Sequence, residues 1–288
     1  MSYRPDVLVI SSGAEKGMAE IGALEKPYEA GMLSELRTII GCSVGAIIGY
    51  LLAIGCTPRE LMVLGLTLKL FGQGINVSRI HQTFAVCDHA VIMDSLTQFS
   101  LLKLRRLPTL KELYEEKGIR LIIPAVDTNA SKPVATYFDY LSHPDLVVLE
   151  AIKRSISIQP LFPPVVDGPH SWVDGGIIDP FPIRLLDDGN HVILGVHTEV
   201  GGGPVDNFLS HVGLITSIVV EQLKAHQLQH CSSKVKVITV PLKNSVASDN
   251  REIRLKMYYQ GYFAGLQFVM DAPSAPRIHD IKHHSKVD

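Results

Sequence analysis

The sequence predicts an α/β fold with parallel strands, and three observations carry that expectation. Short apolar runs of strand length alternate with longer segments whose apolar residues recur at helical spacing. Small residues, mainly glycine and serine, gather at the junctions between them. The chain of 288 residues is 46% hydrophobic and 19% charged, enough to bury a full core.

Residues 6–10 read as a strand, 11–17 as a loop of small residues, and 18–30 as a helix with Ile21, Leu24 and Tyr28 at helical spacing and Gly31 as its cap. Pro27 falls inside that helix and should kink or shorten it, because proline removes a backbone hydrogen bond. Residues 38–40 form a second strand that runs into Gly41-Cys42-Ser43-Val44-Gly45 and then a second helix. Strand, helix, strand, helix implies parallel strands. The 11–17 loop and the turn at Ser43 therefore share the carboxyl edge of the sheet, where open α/β folds place their ligands.

Further along, residues 121–126 and 134–138 read as strands, 146–157 as a helix and 159–166 as a proline-rich connection. Residues 171–179 follow, with Asp174 ending a strand ahead of Gly175 and Gly176. Strands at 191–197 and 235–240 and helices at 205–230 and 250–270 complete the pattern. One domain over residues 1–271 is expected, then a polar tail over 272–288. His279, His283 and His284 read as part of a loose tail rather than a metal site.

Composition excludes several classes. A net charge of -2 with dispersed basic residues argues against nucleic-acid binding. Cys42, Cys56, Cys87 and Cys231 show neither metal spacing nor disulfide density, so a reducing, cytosolic setting is expected. No signal peptide is visible. Between Arg37 and Arg59 no residue is charged, which mimics a membrane span. Four glycines in that stretch favour a strand, a turn and a buried helix instead.

The chemistry centres on Ser43. In G-x-S-x-G the flanking glycines permit a sharp strand-to-helix turn that presents the serine hydroxyl at the top of the sheet, beside the positive end of a helix. Asp174, at the end of a strand, is a carboxylate suited to the same edge.

Three motifs together carry a family resemblance. Ser12-Gly13-Ala14-Glu15-Lys16-Gly17, Gly41-Cys42-Ser43-Val44-Gly45 and Asp174-Gly175-Gly176 resemble, in order and spacing, the glycine loop, G-x-S-x-G and D-G-[GA] motifs of the patatin-like phospholipases. Residues 18–22, 108–118 and 149–166 agree with the same pattern, and the likeness runs from about residue 6 to about residue 190. The resemblance implies a three-layer α/β/α sandwich with a mainly parallel central sheet. It also implies a lipid acyl hydrolase working through a Ser43–Asp174 dyad without histidine, on phospholipid or acylglycerol esters, with no metal or organic cofactor. Gly13 and Ala14 resemble the oxyanion-hole positions, Lys16 the basic position that helps hold the loop, and Ser12 and Gly17 the rest of that loop.

Two of the three loop glycines of the pattern are Ser12 and Ala14 here. If the position of Ala14 needs positive φ, its donor is misaimed and activity falls. A catalytically weakened lipid-binding or regulatory protein is therefore one rival reading. The other is a Ser-Asp-His triad using His191, His197, His211, His226 or His230, against which stands the presence of only two strands ahead of Ser43.

Residues 61–71 are nearly all apolar, and residues 92–107 add Met93, Leu96, Phe99, Leu101, Leu102 and Leu104 beside Lys103, Arg105 and Arg106. They read either as core helices or as a cap that rests on a bilayer or lipid droplet, its basic residues favouring anionic head groups.

Overall fold

The computed structural model describes residues 3–68, 80–201, 208–242 and 250–272. Its centre is an eight-stranded sheet. β1 (Val7–Ile10) lies between β2 (Thr38–Gly41) and β7 (Ile193–Val200), parallel to both. β8 (Val235–Leu242) extends the sheet beyond β7, again parallel. On the other side β3 (Arg120–Asp127) pairs in parallel with β2 through Thr38↔Arg120 to Ile40↔Ile122.

Past Ile122 the partners of β3 run the other way. β4 (Ala135–Phe138) and β6 (His170–Asp174) both pair with it antiparallel, and β5 (Val165–Asp167) forms a hairpin with β6. The sheet is thus mainly parallel with an antiparallel arm. The proline-rich connection contributes β5 itself, a strand too short to stand out in the sequence.

Register explains why the arm matters. Ser43 lies three residues past Ile40, and Ala125 lies three residues past Ile122, the partner of Ile40. Asp174 pairs with Ala125. An antiparallel strand descending from beyond the carboxyl edge therefore ends level with the serine.

Alternation along the strands divides the core between the two faces of the sheet. Leu8, Ile10, Ile39, Leu121, Ile123, Leu194 and Val196 join one buried cluster, and Val7, Val9, Ile40, Ile122 and Ile193 the other. The first face is covered by α1 (Gly17–Glu29), α2 (Val44–Ala53) and α9 (Arg251–Asp271), among others. The second is covered by Phe181, Ile183 and Leu186 with Leu228 at the end of α8 (Phe208–Leu228). Helices flank the sheet on both sides.

Pro27 neither breaks nor ends α1, which continues to Glu29. The missing amide would have bonded the Ala23 carbonyl. Gly265 of α9 packs against that carbonyl so closely that a Cβ would stand 2.3 Å from its oxygen. Gly22 and Gly261 allow the same intimate contact between these helices.

The charge-free stretch between Arg37 and Arg59 is β2, the turn at Ser43 and the largely buried α2. Among the described residues no helix is long and apolar enough to cross a membrane. α3 (Pro58–Thr67) begins at a capping box between Thr57 and Glu60, and residues 69–71 of the expected helix lie outside the described residues. Residues 205–207 and the tail from 273 onward, with its three histidines, also lie outside them.

After the single turn of α4 (Ile80–Thr83), α5 (Ala90–Leu104) is less buried than its apolar sequence suggests. Ile92 and Leu96 face inward, whereas Leu101 is 48% and Leu102 76% exposed. Lys103 pairs with Glu60 at 2.9 Å, and Arg106 pairs with Glu112 and Glu116. Both glutamates belong to α6 (Leu110–Lys117), a helix not among the elements expected from the sequence. Arg105 caps α5 in the left-handed conformation.

Candidate active site

The turn between β2 and α2 places Ser43 at φ 55°, ψ -120°. Only Phe84 and Arg105 share positive φ among the other described non-glycine residues. The flanking glycines are required by close approach. A Cβ on Gly41 would stand 2.2 Å from the Gly45 carbonyl oxygen, and one on Gly45 would stand 2.4 Å from the Ile10 carbonyl oxygen.

Ser43 Oγ donates a hydrogen bond to Asp174 Oδ2 at 2.6 Å. The other carboxylate oxygen, Oδ1, accepts from Gly176 N–H at 2.7 Å. Gly175 follows Asp174 because a Cβ there would stand 2.4 Å from the Pro124 carbonyl oxygen. Asp174 is 1% exposed, and burial pushes its pKa up to about 6 against the lowering effect of the Ser43 and Gly176 hydrogen bonds. The carboxylate is thus a stronger base than one in water, and it is already aligned on the serine proton.

The 11–17 loop sits beside the pair. Ser11 N–H bonds to the Val196 carbonyl at 3.1 Å and Ser12 N–H to the Pro180 carbonyl at 2.7 Å, which anchors the chain just ahead of Gly13 and Ala14. Ser12 also approaches the aspartate turn, since a Cβ on Gly176 would stand 2.9 Å from Ser12 Oγ. Ala14 opens a 3-10 turn, Ala14–Lys16, whose right-handed backbone any L-residue adopts. The alanine therefore needs no positive φ. Lys16 is buried rather than a surface lysine, and its N–H closes the turn on the Gly13 carbonyl at 3.0 Å. Gly17 lets α1 touch the elbow helix, as a Cβ there would stand 2.4 Å from Val44 Cγ2.

Behind this loop is a residue that the motifs did not single out. Glu20, fully buried on α1, accepts the Ser11 hydroxyl at 2.5 Å. Burial pushes its pKa up to about 8.

An apolar cleft opens from Ser43, with about 1020 Å³ of empty space, part of it open solvent. Val44, Ile47, Ile48 and Leu51 of α2 form its floor, and residues of α1, α3, α5 and the 156–162 segment form its walls. Its few polar lining residues include Glu15, Ser95 and Arg254. Such a space suits a hydrocarbon chain and disfavours a polar ligand.

None of the five histidines weighed for a triad takes part in the Ser43–Asp174 bond. His191 pairs with Asp6 at 2.6 Å; these residues precede β7 and β1, at the edge of the sheet opposite Ser43. His197 is buried in β7, stacked on Phe181 and bonded to Thr239, and burial holds its pKa down to about 4. His211, His226 and His230 lie exposed on α8 or just after it. Among the described residues no cluster of His, Cys, Asp or Glu has the makings of a metal site.

Known proteins resemble this chain in sequence or in fold. The chain is 31% identical over 188 residues to a probable lipid hydrolase, 463L, of Invertebrate iridescent virus 6, a match covering 62% of each chain. VipD from Legionella pneumophila superposes with a TM-score of 0.56 at 17% identity, covering 92% of this chain and 66% of that one. ExoU, in its complex with SpcU from the type III secretion system of Pseudomonas aeruginosa, superposes with a TM-score of 0.52 at 18% identity, covering 94% and 54%. The chain therefore spans less than two thirds of each of these relatives. With three motifs in order on one sheet edge and a match to the family model over residues 8–187, the chain belongs to the patatin-like phospholipase family.

Proposed function

We propose that the protein is a lipid acyl hydrolase that cleaves carboxylic esters of phospholipids or acylglycerols through an acyl-enzyme. One observation carries the reading: a strained serine bonded to a buried carboxylate at 2.6 Å, at the end of an apolar cleft. Ser43 Oγ attacks the ester carbonyl carbon as its proton passes to Asp174. The ester C–O bond then breaks, and Asp174 returns that proton to the departing alkoxide. A water then gives a proton to Asp174 as its oxygen adds to the acyl carbon, the acyl carbon–Ser43 Oγ bond breaks, and Asp174 passes that proton to Ser43 Oγ, which releases the fatty acid and restores the hydroxyl. No step calls for a metal or an organic cofactor.

A carboxylate is a weak base for a hydroxyl, so the oxyanion needs strong donors. Ser43 N–H is engaged with Ser155 Oγ at 3.0 Å and is not among them. Gly13 and Ala14, on the anchored loop, are assigned that role, with Ser12, Lys16 and Gly17 holding it. The helical turn at Ala14 supports this reading over that of a weakened, purely lipid-binding protein.

The acyl chain enters between α3 and α5, whose inner residues Leu61, Leu64, Ile92 and Leu96 line the cleft. The same helices expose Val63, Leu101 and Leu102, which favours adsorption to a bilayer or lipid droplet. The test is covalent labelling by a fluorophosphonate together with turnover on a panel of phospholipids and acylglycerols. Labelling and turnover that both vanish in Ser43→Ala support the reading; wild-type protein that is neither labelled nor active refutes it.

A further inference from the structure

One short segment touches both members of the Ser43–Asp174 pair. Ser155, the last residue of α7 (Val148–Ser155), accepts Ser43 N–H on its hydroxyl at 3.0 Å. Two residues on, the Ser157 carbonyl accepts Asp174 N–H at 2.9 Å. Both serines are fully buried.

The Ser157 position is itself tied down. Its carbonyl also accepts from Gln159 Nε2 at 3.1 Å, and the same nitrogen reaches the Phe162 carbonyl at 3.2 Å. Its hydroxyl donates to the Lys153 carbonyl at 2.7 Å and lies 3.0 Å from His89 Nε2. A hydroxyl has one proton, and Lys153 receives it, so His89 is the donor in the second bond. Burial holds the His89 pKa down to about 4, and the ring therefore stays neutral, with its proton on Nε2. That ring stacks on Phe162 at 5.2 Å between centroids, and Phe162 is a wall of the apolar cleft.

A serine at positive φ is strained and persists only where its surroundings hold it. A displacement of 1 Å between reacting groups costs about a hundredfold in rate. We propose that Ser155, Ser157 and His89 are positioning residues, a brace that sets the Ser43–Asp174 separation and joins it to the Phe162 wall of the cleft. Ser155 holds the nucleophile from behind, Ser157 holds the strand end carrying the base, and His89 fixes Ser157. The proposal rests on reading Ser43 and Asp174 as nucleophile and base.

The experiment compares wild type with Ser155→Ala, His89→Phe, His89→Gln and Ser157→Ala. It measures the fluorophosphonate labelling rate of Ser43, kcat and KM on a short soluble ester, the acid limb of the pH profile, and thermal unfolding. His89→Phe keeps a ring against Phe162 but has no donor, whereas His89→Gln keeps a donor. Ser157→Ala, one atom smaller than wild type, tests the same link should His89→Phe not fold.

Ser155→Ala, His89→Phe and Ser157→Ala are expected to lower labelling rate and kcat at least tenfold with KM within twofold. Their acid limb should move to higher pH, because the Ser43 hydrogen bond that lowers the Asp174 pKa is loosened. His89→Gln should keep most of the rate. Folded variants that label at the wild-type rate with an unmoved acid limb overturn the brace, even if their unfolding temperature drops. Equal losses in folded His89→Phe and His89→Gln overturn the role of the donor. Wild-type protein unlabelled at Ser43 defeats the dyad reading instead, an outcome separable from failure of the brace.

Discussion

Ser43 and Asp174 stand 131 residues apart in sequence and bond directly, hydroxyl to carboxylate, at 2.6 Å. Ser43→Ala and Asp174→Asn are each expected to abolish ester hydrolysis without loss of the fold. Alanine at His191, His197, His211, His226 or His230 should leave most of it, since the proposed base and nucleophile already touch. Turnover of a short ester by each purified variant checks this. A correctly folded histidine variant without activity would instead require a triad.

The proposed transfer of the serine proton requires an ionised Asp174, and burial pushes its pKa up to about 6. The rate should therefore rise with pH through about 6 and level off above it. A profile of kcat/KM on a soluble ester reports this ionisation in the free enzyme. An acid limb near 4 would mean that the carboxylate is far better solvated than its 1% exposure implies.

The same burial has a cost for stability. The folded-state pKa lies above the unfolded one, so the folded protein holds this proton more tightly. The resulting stabilisation is complete below about pH 3.8 and is lost as pH rises through about 6. At pH 8 the buried charge opposes folding by on the order of 3 kcal/mol, at about 1.4 kcal/mol per pKa unit. Asp174→Asn should then be inactive yet more stable than wild type at pH 8, with the gain shrinking toward pH 4. Urea unfolding at both values measures it. A less stable variant at pH 8 would show that the charged hydrogen bonds outweigh desolvation.

Ala14 begins a helical turn, where alanine is at ease. Ala14→Gly should change turnover less than about twofold, and it should lower stability by about 0.5–1 kcal/mol through added backbone freedom in the unfolded chain. Equilibrium unfolding and kcat on one ester separate the two effects. A large loss of turnover at unchanged stability would place the oxyanion donors elsewhere.

What was legible in the sequence is what short-range sterics dictate. Gly41, Gly45 and Gly175 face backbone atoms so closely that no side chain fits, and such positions write themselves into motifs. Strand order at the first two strands followed from a single crossover. The direction of β6 did not, because it depends on a hairpin with three-residue β5 and on pairing with β3, neither of which leaves a local pattern. Ser155, Ser157 and His89 were invisible for a related reason. Each acts through contacts with distant parts of the chain, and a serine near a helix end looks the same whether or not a nucleophile leans on it. Lys103 and Arg106 read as free cations in sequence, yet each finds a glutamate on a neighbouring helix.

Those ion pairs redirect the expectation for membranes. Exposed pairs contribute little to stability, but a cation already facing a carboxylate offers little net charge to an anionic head group. Apolar side chains on the outer faces of α3 and α5 remain: Val63 at 54%, Leu101 at 48% and Leu102 at 76% exposed, on helices whose inner faces line the cleft. Leu101→Ser with Leu102→Ser should weaken adsorption to zwitterionic phosphatidylcholine vesicles at least fivefold, since each buried leucine is worth about 1.5–3 kcal/mol. Hydrolysis of a short soluble ester should not change. Replacing Lys103, Arg105 and Arg106 with glutamine should have the smaller effect on vesicle binding, even with anionic lipid present. Vesicle co-sedimentation of the two variants decides between them: a greater loss in the glutamine variant would show that charge, not apolar contact, brings the cleft to its substrate.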